Sequence, residues 1–167
     1  MVALGIKDVK HFMGKLLGSD LLDSFLLEEA AVHTYNTFVI DGRMNRDFYS
    51  EEEWNEPEIR PYEFSEWKKM RGILFELIKG RKTPVSFRFV LHLMPQFVEG
   101  VVKKADSGVT PDQIKALVLT CKYEEGTLRL LTGTAFHTFV MDKSVEAVWD
   151  RTMKTFLDRK DVEYEEL

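Results

Sequence analysis

Apolar positions recur along this chain with two different periods, and the switches between them divide it into elements. Ile6, Val9, Phe12, Met13, Leu16 and Leu17 keep the i, i+3, i+4, i+7 spacing of one helix face, with Asp8 placed near the N-cap and Gly18-Ser19-Asp20 as the stop. Trp67, Met70, Ile73, Leu74, Leu77 and Ile78 form a second stripe, for which Ser65 is the expected N-cap and Gly80 the end. Val145, Val148, Trp149, Thr152, Met153, Phe156 and Leu157 form a third, followed from Asp158 by a polar tail expected to fray. Pro95 opens a shorter helix through Phe97, Val98, Val101 and Val102, weakened by Gly100.

Elsewhere the period is two. Val85, Phe87, Phe89, Leu91 and Leu93 alternate with Ser86, Arg88, Val90, His92 and Met94, which predicts a strand with a defined inside and outside. Residues 26–40 read as a strand bent near Ala30-Ala31. Asp41-Gly42 reads as a turn, with Met44 to Tyr49 returning as the second strand of a hairpin. Ile114 to Tyr123, Thr127 to Leu131 and Thr134 to Met141 predict a three-stranded meander, its turns at Glu124-Glu125-Gly126 and Thr132-Gly133. Between the halves lies EEEWNEPEIRPYEFSE, with seven Glu, two Pro and one Arg; it predicts an irregular acidic connection over about 50–64, partly packed down by Trp54, Ile59 and Tyr62.

Two stretches echo each other: YNTFVIDG at 35–42 and FHTFVMDK at 136–143 share Thr, Phe, Val and Asp. Strand geometry puts Asn36 on one face with Phe38 and Ile40, and His137 on one face with Phe139 and Met141. Both copies therefore read as strands with a bulky apolar face. Each shared Asp has a local reading: Asp41 starts a turn, and Asp142 stands where the last helix needs a cap. Asn36 and His137, polar on apolar faces, are candidates to line a pocket jointly if the two strands are neighbours.

Composition narrows the class. The chain of 167 residues is 44% hydrophobic and 31% charged, as in an ordinary globular domain. Lys and Arg number 23 against 28 Asp and Glu, and the net charge of −5 argues against nucleic-acid binding through bulk charge. With one cysteine, Cys121, no internal disulfide can form. Lys7, Asp8, Lys10 and His11 interrupt any signal-peptide core, and no apolar run is long enough to span a bilayer. A reducing cytoplasm is the expected compartment.

Chemistry is sparse. Histidines 11, 33, 92 and 137 are scattered, and no zinc, EF-hand, P-loop, dinucleotide or nucleophile-elbow pattern occurs. Cys121 alternates with Leu117 and Leu119, which predicts a core thiol. Glu28 and Glu29 are expected to point to opposite sides of a strand, which makes them poor acid–base partners. One polar cluster, DGRMNRD at 41–47, offers Arg43 and Arg46 for a carboxylate or phosphate. A basic group of Lys79, Arg81 and Lys82, extended by Arg88, is the sole basis for a nucleic-acid reading.

The segments IKDVKHFMGKLL, YNTFVIDGRMNRDFYSEEE, LIKGRKTPVSFRFVLHL and TGTAFHTFVMDKSVEAVWD, in this order over nearly the whole chain, resemble a family of small uncharacterised bacterial, mainly clostridial, proteins catalogued as a domain of unknown function. The resemblance implies a stand-alone bacterial domain and carries no activity, cofactor or catalytic residue. The residues themselves predict one α+β domain, a largely antiparallel sheet of about five or six strands with three main helices. The leading functional expectation is a non-enzymatic binding or interaction module, without cofactor or metal. Its partner would be another protein or a small anionic ligand, with a homodimer as one arrangement. The alternative is a small-molecule binder or enzyme with its pocket at Asn36 and His137. The binding candidates are thus Asn36, His137, Arg43, Arg46, Asp41 and Asp142.

Overall fold

The alternation at 85–93 produces an interior strand of the sheet. In the computed structural model, which describes all 167 residues, Ser86–Leu93 is hydrogen-bonded on both sides, with Phe87, Phe89 and Leu91 buried on one face and Arg88 exposed on the other. In chain order the elements are β1 (Ala3–Ile6), α1 (Val9–Gly18), β2 (Phe25–His33), β3 (Thr37–Asp41), α2 (Glu51–Asn55), β4 (Ser65–Glu66), α3 (Trp67–Ile78), β5 (Ser86–Leu93), α4 (Pro95–Ala105), β6 (Ile114–Glu124), β7 (Thr127–Phe136), α5 (Ser144–Arg159) and β8 (Tyr164–Glu166). The eight strands form one sheet in the order β3-β2-β5-β6-β7-β1-β8, with the short β4 added on β2, and every pairing is antiparallel. The α+β class is as expected, with more strands and helices than the five or six and three that periodicity predicted.

A single cluster of 34 buried residues joins the inward faces of the strands to the apolar stripes of α1, α3, α4 and α5. Trp67 of α3 lies 5.5 Å from Phe89, Phe25 lies 6.3 Å from Trp149, and the Trp149 indole donates to the Val118 carbonyl at 3.0 Å. The stripes thus converge on one sheet face, as a two-layer domain requires. Asp8 caps α1 by accepting from the His11 amide. Ser65 does not cap α3; it pairs with Leu27 in β4, and Glu66 takes the cap position without a side-chain bond.

Five local expectations fail, each for a tertiary reason. Ile6 belongs to β1, which pairs with β7 and β8, so the first helix begins after Asp8. Residues 26–40 are two strands, folded back at 34–36 so that Ala30 faces Ile40 and Val32 faces Phe38. Met44 to Tyr49 is not a strand: Arg43 makes one isolated bridge to Phe64, Arg46–Phe48 is a turn of 3-10 helix, and the acidic connection contains α2 with a Ser50–Glu53 capping box. Thr132-Gly133 lies inside β7, so the meander has two strands rather than three. The tail from Asp158 is held down: Val162 is buried and Tyr164–Glu166 pairs with β1.

The β2–β5 register slips between Leu27 and Glu29. That bulge reverses the parity of β2, so Leu27 and Ala30 both face inward while Glu28 and Glu29 share the outer face. Gly42 fits against this bulge. Its amide donates to the Glu28 carbonyl at 2.7 Å, and a Cβ there would sit 1.8 Å from the Leu27 oxygen. Close backbone approach, not a hairpin turn, is what the glycine serves.

Candidate functional site

The two copies of the echo diverge. Thr37–Asp41 has β2 to pair with and becomes β3; residues beyond Phe136 have only the His137 amide bonded to Gln113 and leave the sheet. Phe139 and Met141 are 89% and 81% exposed, so no apolar strand face forms there. Asn36 lies exposed in the β2–β3 turn and His137 is exposed after β7. Their strands stand four spacings apart, about 19 Å, and at opposite ends, since the Asn36 end aligns with Glu124 and the His137 end with Ile114. The pocket expected between them does not exist.

Local partners also hold the other four candidates. Asp41 accepts from the Arg43 amide at 3.0 Å. Arg43 pairs with Glu63 at 2.5 Å and lies over the Phe64 ring at 5.0 Å. Arg46 lies over Trp54 at 5.3 Å and donates to the Tyr49 carbonyl. Asp142 accepts from the Ser144 amide at 2.7 Å, and the Ser144 bonds hold its carboxyl below the usual range. It serves the start of α5 as expected, one residue earlier than the cap position, which Lys143 occupies.

A different site forms between α1, the end of α3 and the turn edge of the sheet. On α1, Met13 and Leu17 lie along one line of the helix, and Lys10, Gly14 and Gly18 along the next. Phe75 and Ile78 of α3 close the other side, and the connection Lys79 to Pro84 forms the rim. Phe87 and Tyr123, stacked at 5.2 Å with an interplanar angle of 10°, line the groove from the sheet. Arg71 of α3 donates to the Ser19 carbonyl and stands 3.6 Å from Asp23, bracing α3 against the end of α1. The groove encloses about 700 Å³, within the range of small-molecule sites.

Charge around it is one-sided. Lys79 pairs with Glu76 at 2.6 Å, but no carboxylate lies within 4 Å of Lys10, Arg81 or Lys82. No acidic residue lines the groove. The basic group at 79–82 was therefore visible in the sequence, whereas Lys10 joins it only through the fold. Arg88 does not belong to it, because it points to the opposite face of β5 from Phe87. Gly14 and Gly18 leave open space: a Cβ at either would meet nothing within 4 Å. A glycine inside an otherwise periodic helix was the signal that sequence reasoning passed over.

A second polar cluster sits on the outer sheet face. Its bulge brings Glu28 to the Nε2 of His92, with Phe64 edge-on to the imidazole at 5.0 Å. The outer positions of Glu28 and Glu29 correct the expectation that they point apart. Cys121 is buried as expected, and desolvation pushes its thiol up to about 12. No three His, Cys, Asp or Glu side chains come together as metal ligands, and no helix is long and apolar enough to cross a membrane.

Comparison with curated proteins and with solved structures gives no match. Residues 15–165 match the model of a family of unknown function, DUF5721, and the chain belongs to that family.

Proposed function

We propose that the protein is a non-catalytic binding module for a small amphipathic organic anion, a molecule with an apolar body and a carboxylate or phosphate head, acting in the cytoplasm. The observation that carries this reading is an apolar groove whose rim holds three cations without a carboxylate partner. Met13, Leu17, Ile78, Phe87 and Tyr123 offer the apolar contact, while Lys10, Arg81 and Lys82 stand where a head group would rest. Burying roughly 200 Å² of ligand surface at ~25 cal/mol per Å² contributes about 5 kcal/mol before the cost of association is subtracted. Charge-assisted bonds to the head would add specificity, since an unpaired cation loses little by exchanging water for an anion.

The probes are decanoate and decyl phosphate, with decanol as the uncharged control, read by thermal shift and by native mass spectrometry. Both anions should raise the melting temperature and appear as bound mass, and decanol should do so weakly. The double variant Arg81→Glu, Lys82→Glu should keep its fold and lose the preference for anions over decanol. If neither anion binds at millimolar concentration, the reading is wrong. If anions and decanol bind alike in the native protein, the rim has no role and only an apolar site remains.

A further inference from the structure

We propose that the open face of the sheet is a self-association surface that receives the acidic 51–58 segment of a second copy of this chain. The four long helices cover one face only. On the other, the register places Arg88 opposite Lys122, and Lys122 opposite Arg129, so three cations lie in one row across β5, β6 and β7. Like charges directly opposite on neighbouring strands disfavour a sheet. Within the chain only Lys122 has relief, from Glu124 at 3.1 Å; no carboxylate stands within 4 Å of Arg88 or Arg129. The row continues into the small residue Ala31 on one side and into Gly5 on the other, where the Leu167 and Glu165 side chains lie over the glycine and close that end.

The complementary charge is in the same chain. Glu51, Glu52, Glu56 and Glu58 are exposed, and none has a cation within 4 Å. The arginines of that region are engaged elsewhere: Arg43 on Glu63 and Phe64, and both Arg46 and Arg60 on Trp54, the last at 3.8 Å. The segment is tied to the same outer face through Phe64, which packs on His92. Row and segment do not meet within one molecule, so their complementarity is satisfied between molecules. Two copies related by a twofold axis satisfy it twice, each row taking the other copy's segment.

Charge reversal tests this pairing. One variant carries Arg88→Glu and Arg129→Glu; the other carries Glu51→Lys and Glu52→Lys. All four positions are exposed, and circular dichroism should show both variants folded. Sedimentation should find the native chain self-associating below about 100 µM, and each variant alone weakened at least about tenfold in Kd. Mixing the two variants should restore association as a heterodimer, because each reversed surface then meets its opposite. If the row reversal fails to fold, Arg88→Gln with Arg129→Gln supplies the weakened arm. A native chain that stays monomeric throughout that range overturns the proposal. So does a dimer unaffected by either variant, or a mixture that shows no heterodimer.

Discussion

Replacing Gly14 separates what the fold requires from what the groove requires. The residue lies inside α1, and nothing stands within 4 Å of the Cβ it would gain. Alanine in a helix interior is favoured over glycine by about 0.8–1 kcal/mol, from backbone entropy alone. Gly14→Ala should therefore stabilise the protein by about 1 kcal/mol, which for a chain of this size raises the melting temperature by roughly 2–4 °C. Gly14→Trp keeps part of that gain, since tryptophan is intermediate in helix propensity, but its ring occupies the groove. Thermal melts by circular dichroism, with and without decanoate, read both effects at once. Ligand at a hundred times its Kd adds about 2.7 kcal/mol to stability, so the native protein and Gly14→Ala should shift upward and Gly14→Trp should not. A Gly14→Ala variant that melts lower would refute the reasoning, because the fold itself would then need the glycine. A Gly14→Trp variant with an undiminished ligand shift would remove the groove as the site.

Other expectations follow from the core. Gly42→Ala places a Cβ 1.8 Å from the Leu27 oxygen and should destabilise by about 3 kcal/mol or more, seen as a lower urea midpoint with an unchanged slope. Trp67 and Trp149 are both buried, but the Trp67 indole N–H has no acceptor while that of Trp149 donates to the Val118 carbonyl. Trp67→Phe should therefore cost about 1–2 kcal/mol less than Trp149→Phe in chemical denaturation, and equal costs would contradict the bonding difference. The Cys121 thiol rises from 9.0 to about 12 on burial. A raised folded value gives stability that is full below pH 9 and is lost as pH climbs to about 12. The three-unit shift corresponds to about 4 kcal/mol as an order of magnitude. Cys121→Ala, measured across that window, should lack this alkaline decline after allowance for tyrosine and lysine titration.

The parts of the fold legible in the sequence were those whose pattern is long and local. The stripes of α1, α3 and α5 and the alternation of β5 needed no knowledge of neighbours. Very short strands are a different case. β1 has four residues and β8 three, and they exist because β7 offers Ala3 a partner at Leu131 and β1 offers Tyr164 a partner at Ile6. The echo makes the same point within one octapeptide pattern. Thr-Phe-Val is a strand where β2 is beside it and a loop where no strand is, so strand propensity reports fit to a surface rather than a property of the backbone. Parity arguments failed for Glu28 and Glu29 because one extra residue in a bulge shifts every later side chain, and local composition does not announce the bulge.

The candidate site was legible only as fragments, for a related reason. Lys79, Arg81 and Lys82 were conspicuous as a cluster, yet a cluster of cations acquires a direction only when the chain around it has folded. Arg88 looked like its natural extension, but alternation says which residues share a face and not which face the helices cover. Lys10 reaches the rim because α1 packs against α3, and neither stripe specifies that pairing. Gly14 was different. It broke a local rule inside the otherwise regular pattern of α1, at a cost of about 1 kcal/mol, and no packing constraint accounts for it. Gly72 and Gly100 are equally unconstrained inside α3 and α4, so a free helix glycine alone does not locate a site. What sets Gly14 apart is its place on the wall of the groove that the unpaired cations surround, which makes it the glycine whose substitution tests that groove.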